Sequence, residues 1–223
     1  MLISWLGQCC FLLQDSLGRR ILTDPLDLYD IDNILSLNPK LITLSHCHLD
    51  TPIRNYKNSK LAIINKDTIN HLDFCDISGY LTYHDKNLGI KRGVNYIYKF
   101  KFDNLTLCHL GHIGHIPSEE ILSSLRDIDI LFIPVGGHFT INGLEASMLV
   151  NIIKPKIVIP MYYKNNSNSL EYLDSPQSFI TSMKYVIKLN KLTLDTNELE
   201  FDQSSQTILM RENTIKYITK KTV

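Results

Sequence analysis

The segment Ile128-Asp-Ile-Leu-Phe-Ile-Pro134 carries one charged residue, and Lys156-Ile-Val-Ile-Pro160 repeats the same type further on. Continuous apolar, β-branched runs of this length suit strands covered on both faces. A strand with one face in water alternates apolar and polar residues instead. A chain built on such runs must place layers on both sides of a sheet. More short runs read as strands at Met1–Leu6, Cys10–Gln14, Arg20–Thr23, Leu41–Leu44, Leu61–Asn65, Tyr96–Phe102 and Leu105–His109. Asp103-Asn104 separates the last two and predicts a hairpin turn.

Helical patterns fall between these runs. Ile31–Ser36 reads as a short helix. Ser118–Leu125 follows Pro117 and opens with Ser-Glu-Glu, a helix start signal. Gly143–Ile153 places Leu144, Met148, Leu149 and Ile152 at helical spacing and stops before Pro155. Ser175–Leu189 is a third candidate, with Pro176 near its first turn, and the tail from Lys191 returns to strand-like pieces. No internal repeat, low-complexity tract or long linker breaks the chain. The expectation is one α/β domain over residues 1–223, with sheet-rich layers and helices outside.

With 223 residues and 44% hydrophobic content, the chain can bury a substantial core. Lys plus Arg equals Asp plus Glu at 23 each, so no basic excess points to nucleic acid or an anionic membrane. No stretch approaches the roughly 18–20 apolar residues of a membrane span. The start, Met1-Leu-Ile-Ser-Trp-Leu-Gly7, lacks a basic segment and a small-residue cleavage site, and reads as a first strand rather than a signal peptide. The five cysteines, an odd number without a C-x-x-C pair, suit a reduced cytoplasmic protein. Four of them read as small buried hydrophobes, and Cys47 stays open because it lies between two histidines. Oligomeric state stays open too, a homo-oligomer included.

The histidines carry the chemistry. His46 and His48 directly follow the strand-like run Leu41–Ser45, where the ends of strands gather ligands in layered folds. Alternate positions on an extended segment point the same way, so His46, His48 and Asp50 can converge on an ion. Imidazole and carboxylate suit zinc, manganese or iron. Three neutral histidines and one open position bring the pKa of a bound water to about 7, which is the basis of metal-assisted hydrolysis. Asp85 fits the carboxylate that orients a neighbouring ligand, His84. His71 reads as a surface residue in a helix or turn. His109 reads as a satisfied core histidine, and His115 is open to the same reading.

Several blocks together resemble the metallo-β-lactamase fold superfamily, in its L-ascorbate-6-phosphate lactonase-like branch of small bacterial metal-dependent hydrolases. They are Ser4-Trp-Leu-Gly-Gln-Cys-Cys-Phe11, Ile21-Leu-Thr-Asp-Pro25, Leu44-Ser-His-Cys-His-Leu-Asp50, Tyr83-His-Asp85 with Arg92-Gly-Val-Asn95, His109-Leu-Gly-His-Ile-Gly-His115, Ile133-Pro-Val-Gly-Gly-His-Phe-Thr-Ile141 and Pro155-Lys-Ile-Val-Ile-Pro-Met-Tyr-Tyr163. The resemblance implies an αββα four-layer sandwich with the metal site at one edge, between the two halves. It also implies that His46, His48 and His84 hold a first metal. For a second metal, Asp50 matches the pattern, while Thr51, His112 and Tyr162 stand where the family has His, Asp and His. Gln8 stands where a His is usual, and Cys47 where an Asp is common.

These substitutions predict one metal at His46, His48 and His84, joined by His112 or Asp50. Thr51 is no substitute for an imidazole, and Tyr162 would have to lose a proton of reference pKa near 10 to bind well. The expected activity is hydrolysis of an ester, lactone or phosphoester in a small molecule, on a divalent ion that is zinc in first place, with manganese or iron as alternatives. Asp50 would orient water or act as general base. His138 would shape the substrate pocket, and Tyr162 would donate a hydrogen bond to a developing oxyanion. A second reading is a family member without catalysis, kept as a binding or regulatory module. A third is a structural zinc closed by His46, His48, His84 and His112.

Overall fold

The computed structural model describes residues 1–25, 30–46, 53, 61–165, 171–201 and 205–213. The chain opens with β1 (Leu2–Gly7), β2 (Cys10–Gln14) and β3 (Arg20–Thr23), then α1 (Ile31–Ser36), β4 (Leu41–Thr43) and β5 (Ala62–Ile64). Four antiparallel strands follow: β6 (Ile69–His71), β7 (Cys75–Tyr83), β8 (Val94–Phe102) and β9 (Leu105–His109). Next come α2 (Glu119–Ser124), β10 (Ile130–Pro134), α3 (Gly143–Ile153) and β11 (Ile157–Met161). The described part closes with α4 (Gln177–Ile180), β12 (Tyr185–Lys188), β13 (Thr193–Asp195) and β14 (Gln206–Leu209).

These strands build two sheets. One has six strands in the order β13-β1-β2-β3-β4-β5, and the other has eight in the order β12-β14-β11-β10-β9-β8-β7-β6. Period-two alternation splits the first sheet between two apolar layers. Ile3, Trp5, Phe11, Leu13, Ile21 and Leu41 belong to the large core shared with the second sheet. Leu12, Leu22 and Ile42 turn the other way, into a smaller cluster with Ile34 of α1 and Leu37. The Phe11 and Phe132 rings, one from each sheet, meet with centroids 4.5 Å apart. β10 and β11 are buried at every position, as their continuous apolar runs require. α3 adds Ala146, Leu149, Val150 and Ile153 to the large core. The resulting α/β architecture is the expected αββα sandwich.

Local signals set the ends of α3. Asn142 accepts from the backbone N–H of Leu144 and Glu145, and Glu145 accepts in return from the Asn142 N–H, a reciprocal capping box. The hairpin between β8 and β9 turns at Asp103 and Asn104, whose φ values of 53° and 62° match a tight primed turn.

Three expectations need correction. Ser175–Leu189 is not one helix: only Gln177–Ile180 is helical, and Tyr185–Lys188 is a strand paired with β14. Pro176 provides no side-chain cap, and the β-branched Val186 and Ile187 favour the sheet partner. β7 appeared in no expected strand. Its sequence Cys-Asp-Ile-Ser-Gly-Tyr-Leu-Thr-Tyr mixes apolar and polar residues around Gly79 rather than forming a continuous apolar run, and long-range pairing with β8 fixes it. His71 is exposed as expected but lies in β6, where it contacts Asp76. Among the described residues, no helix is long and apolar enough to cross a membrane.

Candidate metal centre

The first sheet meets the second just past β4. The chain leaves Thr43, and Ser45 accepts the backbone N–H of Tyr96 at 2.6 Å while His46 bridges Asn95. His46 therefore sits where the two sheets adjoin. Asp24, at the end of β3, fixes this crossing. Its carboxylate accepts the Ser45 N–H and the Ser45 hydroxyl, both at 2.6 Å. Because Ser45 gives its proton to Asp24, its oxygen accepts from His46 Nδ1, 3.2 Å away. That places the His46 proton on Nδ1 and leaves Nε2 as the ring's lone-pair donor.

His84 reaches the same place from the end of β7. Its Nδ1 donates to the carbonyl oxygen of Phe139 at 2.9 Å, so Nε2 is again the donor nitrogen. Metal-binding histidines are characteristically held this way, with one ring N–H on an acceptor and the other nitrogen on the ion. His112 follows β9, its backbone N–H donated to Asn95 Oδ1 at 2.8 Å. One ligand atom from each of His46, His84 and His112 falls within 4.8 Å of the others. Ring centroids are 4.0 Å apart for His46–His112 and 5.2 Å for His84–His112. His84 and His112 are buried and His46 is half-buried. Three imidazoles with this spacing fit a divalent ion in size and in donor chemistry.

Glycines make the approach possible. A Cβ on Gly114 would lie 2.5 Å from backbone atoms of both His84 and Asp85, and one on Gly111 would lie 2.4 Å from Ser45 Cβ. Non-glycine residues around the site also adopt left-handed backbone: Gln8 (φ 47°), Asp24 (37°), His138 (58°) and Tyr162 (51°). Such conformations cost of order 1–3 kcal/mol each and persist where surrounding contacts impose them.

Of the other expected site residues, His48 and Asp50 lie outside the described residues, as do Cys47 and Thr51. Tyr162 packs its ring 4.6 Å from that of His112, and its backbone N–H donates to Gln8. Burial pushes the Tyr162 phenol well above its ordinary value, so it stays protonated. His138 is exposed beside Phe139 and Tyr172, 3.7 and 5.0 Å between centroids. Asp85 does not orient the His84 ring. Its carboxylate accepts four backbone N–H groups, from Asn87, Gly89, Lys91 and Arg92, and builds the loop after His84.

His109 and His115 are used inside the fold. His109 donates from Nε2 to the Cys9 carbonyl and accepts the Gly111 N–H at Nδ1, and burial pushes its pKa down to about 4. His115 accepts the Tyr83 N–H at Nε2 and donates from Nδ1 to the Ile116 carbonyl. Cys9, Cys10, Cys75 and Cys108 are buried thiols, as expected of them. Sequence reading missed Asp24. Its signal was present in Ile21-Leu-Thr-Asp-Pro25, an acid at the end of an apolar strand. Burial raises its carboxyl to about 7, against the lowering effect of the two Ser45 hydrogen bonds.

Comparison with known proteins agrees with this geometry. A family model described as a β-lactamase superfamily domain matches residues 2–162. A UPF0173 protein of Pyrococcus furiosus is 30% identical over 187 residues, covering 76% of this chain and 86% of the relative. A UPF0173 metal-dependent hydrolase of Pyrobaculum islandicum is 26% identical over 194 residues, covering 73% and 84%. A crystal structure from Thermotoga maritima, described as a Zn-dependent hydrolase of the metallo-β-lactamase superfamily, is similar with a TM-score of 0.76 and 25% identity, covering 95% of this chain and 99% of that one. With its two facing sheets and its histidines gathered where they adjoin, this chain belongs to the metallo-β-lactamase superfamily.

Proposed function

We propose that the chain is a hydrolase using one divalent ion, zinc in first place, held by His46, His48 and His84 with His112 adjoining, to cleave an ester, lactone or phosphoester in a small molecule. The observation that carries this reading is the convergence of His46, His84 and His112, with His46 and His84 both turned so that Nε2 is the donor. The names of the relatives support it, as does the resemblance to the lactonase-like branch. A bound divalent ion supplies Lewis-acid polarisation and lowers the pKa of water. Asp50 is assigned as the group that orients water or takes its proton. Tyr162, kept as a neutral phenol by burial, is assigned as a hydrogen-bond donor to charge developing on the substrate.

A cleft of about 590 Å³ opens beside His84, lined by Lys86, Lys91, Arg92, His138 and Phe139 among others. The Arg92 guanidinium stacks over Phe139, 3.3 Å from the ring centroid, which holds it in place. Lys86 is paired with Glu145, and the Asp85 carboxylate is taken up by backbone N–H groups. Lys91 and Arg92 therefore favour a substrate with an anionic group, and His138 is assigned to the cleft wall.

The test measures metal content and turnover of ester, lactone and phosphodiester panels by the metal-loaded protein. One equivalent held tightly at the His46, His48 and His84 centre, lost together with turnover in His46→Ala, supports the reading. Tight metal binding without turnover of any class favours the binding module, and four protein ligands at the metal edge favour the structural zinc.

A further inference from the structure

A second group of ligand atoms also includes His112. Cys9 Sγ, an Asp24 carboxylate oxygen and a His112 ring nitrogen all fall within 4.8 Å of one another, and all three residues are buried. They come from the β1–β2 turn, the end of β3 and the loop after β9. The ring nitrogen of His112 facing Asp24 is Nδ1, at 4.0 Å. We propose that Cys9, Asp24 and His112 form an inner site for a thiophilic divalent cation such as zinc, distinct from the one centred on His46, His48 and His84.

Size and chemistry agree. Donors about 2.0–2.3 Å from one tetrahedral ion sit roughly 3.3–3.8 Å apart, so small side-chain adjustments close the group on a metal. Thiolate, carboxylate and imidazole together form a donor set that suits zinc and cobalt, and the thiolate disfavours magnesium or calcium. A dication balances one thiolate and one carboxylate, which removes the cost of burying either charge alone.

The existing hydrogen bonds leave room for the ion. Each Asp24 oxygen accepts one hydrogen bond from Ser45, and a carboxylate has about four lone-pair sites. Cys9 Sγ points to the Gly111 carbonyl across 3.7 Å, a weak contact that coordination replaces. His109 is excluded although its Nδ1 lies 3.9 Å from Asp24, because both its nitrogens are committed to the Cys9 carbonyl and the Gly111 N–H.

Titration of the reduced, metal-stripped full-length protein with Co²⁺ tests this independently of any hydrolase activity. The expected wild-type result is two equivalents per chain with an intense near-ultraviolet thiolate-to-cobalt absorption band. Cys9→Ser reduces the count to one and abolishes the band. His84→Ala also reduces the count to one but keeps the band, which separates failure of the inner site from failure of the outer one. A wild-type spectrum without the band overturns the proposal. So does a band that survives Cys9→Ser and vanishes in Cys47→Ser. Should Cys9→Ser not fold, zinc-edge X-ray absorption of the Cys47→Ser protein decides instead. A sulfur scatterer at about 2.3 Å supports the site, and a shell of nitrogen and oxygen alone overturns it.

Discussion

Ser45 donates its hydroxyl proton to Asp24 across 2.6 Å, and it does so one residue before His46. The same oxygen accepts from His46 Nδ1. One buried carboxylate thus sets the position of the strand end and the tautomer of the histidine that follows it. The geometry of the candidate centre is decided here before any ion binds.

Ser45→Ala should lower stability and weaken metal binding together. It leaves an oxygen of buried Asp24 without one of its donors, a loss of about 1–3 kcal/mol. For a chain of this size that is a fall in Tm of about 2–12 °C. Loss of the orienting partner of His46 should weaken zinc binding by about 10–100-fold. Calorimetry and competitive zinc titration measure the two effects, and an unchanged zinc affinity would remove Ser45 from the site.

His84→Ala should keep the fold and lose the outer metal. The His84 ring is held by the Phe139 carbonyl and contacts His46 and His112, so its removal opens a small gap at the junction of the sheets. Zinc affinity at the outer centre should fall by more than about 100-fold, beyond the usual cost of losing an orienting partner. Circular dichroism should match wild type. Wild-type affinity at that centre would show that His84 is only structural.

His109 predicts a pH dependence with a definite sign. Its folded pKa of about 4 lies below the ordinary histidine value, because burial disfavours the imidazolium. Between pH 6.5 and 4 the unfolded chain binds a proton there that the folded chain does not. His109 therefore costs nothing above pH 6.5 and destabilises progressively as pH falls to 4, by about 3 kcal/mol in total. Asp24 works in the opposite sense in the metal-free protein: its carboxyl is raised to about 7, so the stability it contributes is complete below pH 4 and is lost as pH rises through 7. The difference between wild type and His109→Gln isolates the histidine. Urea unfolding at pH 7 and pH 4.5 should show the variant losing less on acidification, and parallel pH curves would contradict the assignment.

Asp85→Ala should loosen the loop that carries Lys91 and Arg92. Four backbone N–H groups lose a charged acceptor. Amide exchange at Asn87, Gly89, Lys91 and Arg92 should accelerate by about 10-fold or more. Global unfolding should change little, because the carboxylate lies at the surface. Unaltered exchange at those four amides would show that the loop is held by other contacts.

The sequence by itself determined the strands whose signals are local and the helix that carries its own caps. β1 to β5 and β8 to β11 were legible as apolar runs, α3 through its spacing and Pro155, and the hairpin through Asp103-Asn104. It also marked His46 and His112 by their places after strands, while His84 was marked by the family resemblance. Tertiary structure decided the rest, because the signals there depend on partners far along the chain. β7 mixes apolar and polar residues around Gly79 with no continuous apolar run, and pairing with β8 makes it a strand. The β-branched Val186 and Ile187 lean to a strand, but over so short a run the pairing with β14 decides it. His109, His112 and His115 are equally spaced in sequence, yet only His112 joins His46 and His84. Backbone carbonyls of Cys9 and Ile116 claim the other two. Periodicity reports which face of an element is buried, whereas the partners of a buried polar atom are set only when the two sheets close on one another.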